Sequence, residues 1–130
     1  MLVNTSNEEQ LIDAGFNFGL GLKPGNVVVL NGELGAGKTT FVKGIAKALK
    51  IDEPITSPTY TISKLYDGKL CHVDSYRIAD EDIGLDDLKQ EGYIICVEWA
   101  ENIEDYLPEI NYQIDIEYTL EGRKIEIKNK

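Results

Sequence analysis

An α/β fold on a mixed sheet is predicted by three features of this 130-residue chain. Two continuous apolar runs, Val27 to Leu30 and Tyr93 to Val97, suit strands buried on both faces. Two early stretches repeat their apolar residues at helical spacing, and strict apolar–polar alternation marks the end of the chain.

Taken in order, Ser6 followed by Glu9 suggests a capping box, and Leu11, Ala14, Gly15, Phe18 and Leu22 form one stripe. The first element therefore reads as an amphipathic helix. Lys23-Pro24-Gly25-Asn26 breaks it, and the Val27 to Leu30 strand follows. Phe41, Val42, Ile45, Ala48 and Leu49 mark the buried side of a second helix, with Lys43, Lys47 and Lys50 in solvent. Residues 52–58 carry two prolines and no periodicity, so they read as a loop leading into Tyr60, Ile62 and Leu65 on alternating positions. Asp67-Gly68 is a reversal signal before a returning strand, Lys69 to Val73. Gly84 to Gln90 suits a short helix, and the Tyr93 to Val97 strand runs into Glu98. Ile110, Tyr112, Ile114, Ile116, Tyr118 and Leu120 alternate, turn at Glu121-Gly122, and continue with Ile125 and Ile127 as a hairpin with one dry face. No linker or repeat divides the chain, so residues 1–130 are expected to be a single domain.

Composition narrows the function. Apolar residues make up 42 % and charged residues 28 %, enough for a modest core, which argues against disorder. The 23 acidic against 13 basic side chains leave a net charge of -10, which repels phosphate backbones and excludes a general nucleic-acid platform. A small basic site, or action on RNA through a partner, stays open. The apolar runs are far too short to cross a bilayer, and the N-terminus lacks the features of a signal peptide, so no membrane contact and a cytoplasmic location are expected. Cys71 and Cys96 sit in apolar strands and read as buried thiols, with no zinc signature.

The chemistry begins where the first buried strand ends. Gly32-Glu33-Leu34-Gly35-Ala36-Gly37-Lys38-Thr39 fits G-x-x-x-x-G-K-[ST] and is followed by Thr40 at the head of a helix. Glycines let the backbone approach phosphates, so that amide groups and the helix N-terminus point into one anion cavity. Lys38 should reach the β and γ phosphates, and the Thr39 hydroxyl should complete part of a Mg²⁺ shell. The motif predicts a P-loop NTPase-like three-layer domain with a mixed central sheet and a C-terminal β-hairpin. The chain has no N-K-x-D guanine-reading sequence after the loop, which favours ATP.

A carboxylate must sit near the magnesium, and two acids end apolar strands: Asp74 and Glu98. Spacing alone does not rank them; one could bind the ion while the other orders the attacking water. Ser57, Thr59 and Thr61 follow the second helix, where a γ-phosphate-sensitive segment often lies, although strand-start hydroxyls fit equally. His72, Asp74, Tyr76 and Arg77 form a dense polar group. His72 is the only histidine and reads either as a packed, hydrogen-bonded imidazole or as a proton-transfer group. Arg77 could pair with phosphate, with Asp74 or with a partner's acid. Trp99 either walls the nucleotide pocket, faces a partner or simply packs.

The stretches GELGAGKTTF, SPTYTI, HVDSYRI and VEWAE, in this order along nearly the whole chain, resemble the TsaE (formerly YjeE) family, the P-loop ATPases of bacterial threonylcarbamoyladenosine (t6A) formation on tRNA. The resemblance implies an ATP- and Mg²⁺-dependent hydrolase acting with TsaD and TsaB, the proteins that transfer threonylcarbamoyl to adenosine 37. Its implied role is to reset or regulate that complex, with tRNA contact indirect or transient. The family's magnesium ligands fall on Thr39 and Glu98, and Lys38, Asp74 and Glu98 become the catalytic set, with Asp74 in a water-ordering or catalytic role. Nucleotide contacts map to Glu8, Trp99 and Arg123 as well as to the loop. Ser57, Thr59, Thr61, His72, Tyr76 and Arg77 become switch-like or partner-facing. Ala100 stands where the family commonly has proline, which removes no charge or ligand. Two other readings of the loop are a small-molecule kinase and a nucleotide-dependent binding module without catalysis.

Overall fold

The computed structural model describes residues 1–33, 35–56, 63–76 and 81–130. Among these, the strands are β1 (Leu2–Thr5), β2 (Val27–Asn31), β3 (Ser63–Tyr66), β4 (Leu70–Asp74), β5 (Ile94–Glu98), β6 (Tyr112–Thr119) and β7 (Gly122–Asn129). They form one sheet in the order β1-β7-β6-β2-β5-β4-β3. The helices are α1 (Glu8–Gly19), α2 (Lys38–Ala48) and α3 (Leu85–Gln90), with a 3-10 segment at Ala100–Tyr106.

The apolar run of β2 is central because its neighbours β5 and β6 are both parallel to it, and β4 extends the parallel set beyond β5. Both faces of such strands must be covered. Val28, Leu30, Leu70 and Cys96 face α1 and α2, where they pack with Leu11, Phe41, Val42 and Ile45. Val27, Val29, Cys71, Val73, Ile95 and Val97 face the opposite layer, made by Leu85 of α3 with Ala100 and Ile103. The result is the three-layer mixed α/β arrangement expected. Cys71 and Cys96 are buried free thiols, and burial pushes the Cys71 thiol up to about 12.

The two layers of helix are not equivalent. α1 and α2 cross closely because each carries a glycine at the crossing: a Cβ on Gly15 would run into the Phe41 carbonyl oxygen, and one on Gly44 into that of Ile12. This contact fixes the start of α2 against α1.

Several expectations shift in detail. The first element is not the helix but the edge strand β1, antiparallel to β7 through pairs such as Leu2 with Glu126. Four residues without a repeating pattern carry no strand signal of their own; β7 supplies the pairing. The N-cap of α1 is Asn7 rather than Ser6: its side chain accepts the Gln10 amide at 2.8 Å, and Gln10 returns a bond from the Ser6 amide at 2.7 Å. The box is shifted by one residue. On α2, Ala46 is buried while Ala48 and Leu49 are only partly so. The β3–β4 turn is the expected reversal, with Asp67 and Gly68 at φ values of 52° and 64°. The dry face of the β6–β7 hairpin stops at Ile116, and Tyr118 and Leu120 are exposed, because β2 pairs with β6 only as far as Asp115. Tyr60 and Ile62 lie outside the described residues.

Among the described residues, no helix is long and apolar enough to cross a membrane.

Candidate nucleotide site

The glycine-rich loop runs from the C-terminal end of β2 into the N-terminus of α2. Asn31, the last residue of β2, donates to Asp115 of β6 at 3.0 Å, so the loop leaves a fixed point. Burial alone would raise the Asp115 pKa, but hydrogen bonds from Asn31, Gln113 and Lys128 outweigh it and hold the carboxyl below its ordinary value. At the far end, Gly37 begins α2 with a φ of 113°, a left-handed conformation that glycine alone adopts without cost. A Cβ there would also stand 2.5 Å from Leu11 Cδ2. No side chain caps this helix, and its first internal bond runs from the Phe41 amide to the Gly37 carbonyl at 2.9 Å. The amides of Lys38, Thr39 and Thr40 therefore have no partner within the helix, the arrangement an anion requires.

Lys38 is buried. Its Nζ donates to the Gly32 carbonyl at 2.8 Å, lies 4.0 Å from Glu98 Oε1 and sits 4.3 Å from the centre of the Trp99 ring. Thr39 Oγ1 is 3.4 Å from Glu98 Oε2, a loose approach of two hard oxygens. Glu98 ends β5 in register with Asp74, the end of the parallel strand β4. The two strand-end acids thus stand side by side at the carboxyl edge of the sheet, where α/β folds place ligands. Asp74 Oδ1 accepts the Tyr76 amide at 3.0 Å, which leaves its other oxygen for the site. Thr39 and Glu98 supply oxygen donors of the kind Mg²⁺ prefers, close enough to share one ion after a small adjustment.

What aims Glu98 and Trp99 is a turn that composition gives no hint of. Trp99 has a φ of 60° and a ψ of 42°, uncommon for a bulky side chain. Ser75, fully buried, holds it: its hydroxyl bonds the Glu98 carbonyl at 2.9 Å and the Trp99 carbonyl at 2.6 Å. Asn102 completes the brace through its side-chain amide to the Ser75 carbonyl at 2.8 Å. Tyr76, exposed, packs its ring 4.8 Å from that of Trp99.

On the other side of the loop lies a cavity of about 430 Å³ lined by Ser6, Asn7, Glu8, Gly35, Thr40 and Arg123, among others. Arg123 stacks on Tyr118 with its Cζ 4.1 Å from the ring centre, and its Nε donates to the Ala36 carbonyl at 2.8 Å. The late hairpin therefore grips the loop directly. Glu8 and Arg123, far apart in sequence, meet here because β1 pairs with β7.

The sequence-derived set divides accordingly. Gly32, Glu33, Gly35, Ala36, Gly37, Lys38, Thr39 and Thr40 form the loop and helix start; Asp74, Glu98 and Trp99 flank it on one side, and Glu8 and Arg123 on the other. Leu34, Ser57, Thr59, Thr61 and Arg77 lie outside the described residues. Tyr76 is on the surface, as a partner-facing residue would be, but His72 is not: it is fully buried on the interior strand β4, with Nε2 2.6 Å from Glu98 Oε2. That placement corrects the partner-facing half of its switch-like or partner-facing assignment and agrees with the packed, hydrogen-bonded imidazole that was the other reading of this residue. Ser75, Asn102 and Tyr118 were missed by sequence reasoning. Ser75 lies inside the HVDSYRI stretch, but only the left-handed turn at Trp99 shows why a serine is needed.

The layers and the loop at the carboxyl edge of β2 together define a P-loop NTPase-like three-layer α/β protein. A sequence model of the threonylcarbamoyl adenosine biosynthesis protein TsaE matches residues 5–125, and the chain belongs to the TsaE family. It is 50 % identical over 99 residues to the tRNA threonylcarbamoyladenosine biosynthesis protein TsaE of Bacillus subtilis, a match spanning 72 % of this chain and 63 % of that protein, less than two thirds of its length. The TsaE of Treponema pallidum is 41 % identical over 109 residues, 79 % of this chain and 81 % of the relative. The crystal structure of YdiB from Bacillus subtilis superposes with a TM-score of 0.86 at 35 % identity, covering 99 % of this chain and 84 % of that one.

Proposed function

We propose that this chain is a Mg²⁺-dependent ATPase that acts on the TsaD–TsaB complex in t6A formation on tRNA. The observation that carries the reading is the convergence of Lys38, Thr39 and Glu98 beside an uncapped helix N-terminus. Family membership supports the pathway.

In this reading the free amides at the start of α2 hold the β and γ phosphates, and Lys38 exchanges the Gly32 carbonyl for phosphate oxygen. Thr39 and Glu98 hold Mg²⁺, which when bound polarises the phosphoryl oxygens and offsets their charge. Asp74 orders the attacking water with the carboxylate oxygen that Tyr76 leaves free. The cavity beside Glu8 and Arg123 receives the nucleoside, and Trp99 walls the phosphate side. Arg123, already bonded to Ala36, ties the late hairpin to the state of the loop. The net charge of -10 suits work on a protein complex better than a direct grip on tRNA.

The test is ATP hydrolysis by the purified chain with TsaD and TsaB, together with t6A content in cells whose own copy is depleted. Lys38→Ala and Glu98→Ala are each expected to lower hydrolysis by ~100-fold or more and to abolish rescue of t6A. Hydrolysis that survives both substitutions overturns the site assignment. Full t6A rescue by Asp74→Asn without hydrolysis would make turnover dispensable.

A further inference from the structure

We infer that His72 is a positioning residue for Glu98: its Nε2–H holds Glu98 Oε2 so that the carboxylate faces the cation site when Lys38 leaves for phosphate. The inference rests on the reading that Glu98 serves the cation.

Glu98 is buried, and a carboxylate in such a place needs donors. Its surroundings supply few short ones. Lys38 is 4.0 Å away and donates elsewhere, to the Gly32 carbonyl. Thr39 approaches no closer than 3.4 Å. Only the His72 contact, at 2.6 Å, is a short bond to the Glu98 side chain among the described residues.

The cost of this arrangement is visible on the other ring nitrogen. His72 is 0 % exposed, and Nδ1 has no partner among the described residues. With Nε2 bonded to Glu98, Nδ1 is left without a partner among those residues, a cost that a side chain without polar atoms would avoid. Leucine or valine would fill the position without stranding any polar atom, as Leu70, Cys71 and Val73 do around it on β4. An imidazole is explained by what Nε2 touches. Its register makes the reach possible: His72 lies opposite Cys96, two residue pairs before Asp74 and Glu98 and so on the same face of the sheet.

Trp99, the only tryptophan, lies against Lys38, so its emission reports nucleotide binding. ATP is titrated into the wild-type chain, His72→Leu, His72→Gln and His72→Asn, with excess Mg²⁺ and with EDTA. Glutamine places an amide N–H near the position of Nε2; asparagine has the polarity without the reach. His72→Leu and His72→Asn are expected to lose about ten- to a hundredfold of the tightening that Mg²⁺ gives, with affinity in EDTA unchanged within about twofold. His72→Gln is expected to recover most of it. In a Glu98→Gln background, His72→Leu should add nothing.

Should His72→Leu fail to fold, the contrast between glutamine and asparagine carries the test. The inference is overturned if Mg²⁺ tightening persists in His72→Leu and His72→Asn while Glu98→Gln abolishes it. If Glu98→Gln itself keeps the tightening, the placement of the cation fails, and the role of His72 falls with it.

Discussion

Trp99 shows how a single residue is made to serve a site against its own preference. Its left-handed backbone costs free energy, and the Ser75 hydroxyl offsets that cost by bonding two successive carbonyls. Ser75→Ala is therefore expected to lower unfolding stability by ~1–3 kcal/mol in a denaturant titration and to shift the emission of Trp99 in the nucleotide-free chain. At this scale the sequence was legible wherever a residue type has a unique job. The glycines, Lys38 and Thr39 declare themselves by spacing, because tight approach to phosphate admits few alternatives. Asp74 and Glu98 could be found as strand-end acids but not ranked by spacing, since both end apolar runs; in the structure Glu98 approaches Lys38 and Thr39. The burial of His72 was legible as one of two readings, a packed and hydrogen-bonded imidazole, but its partner was not, because alternation along a strand does not say which face meets a carboxylate.

At the scale of elements, the crossing of α1 over α2 is the most sensitive join. Backbone meets backbone at Gly15 and Gly44, so an added methyl cannot be absorbed by a rotamer change. Gly44→Ala is expected to destabilise by ~1–3 kcal/mol in spite of alanine's better helix propensity, read as a lower midpoint in urea. It should also weaken nucleotide binding, since α2 begins at the loop. Elements with a strong period or a strong stop signal were readable: both long helices, the central strands, and the two hairpins. β1 was not, because four residues on an edge owe their strand state to β7. The 3-10 segment after Trp99 was not either; it follows from a turn whose bonds come from Ser75 and Asn102, outside any local pattern.

For the whole molecule, the site is a seam between distant parts: the loop after β2, the acids of β4 and β5, the start of α1 and the late hairpin. A ligand that bridges them should stabilise the entire fold. At a concentration of Mg·ATP about 100 times its dissociation constant, the linkage adds ~2.7 kcal/mol, or about 10 °C in the melting temperature of a chain this size. Calorimetry should show that shift in the wild type and none in Lys38→Ala. The central position of β2 has one more result. Val28 is flanked by Cys96 on one side and Tyr112 on the other, and β1 waits for β7. During synthesis the phosphate-binding segment leaves the ribosome before either lateral neighbour: β5 follows it and β6 comes later still. Competence for nucleotide thus arrives late and all at once, so a prematurely terminated chain would be idle instead of half-active.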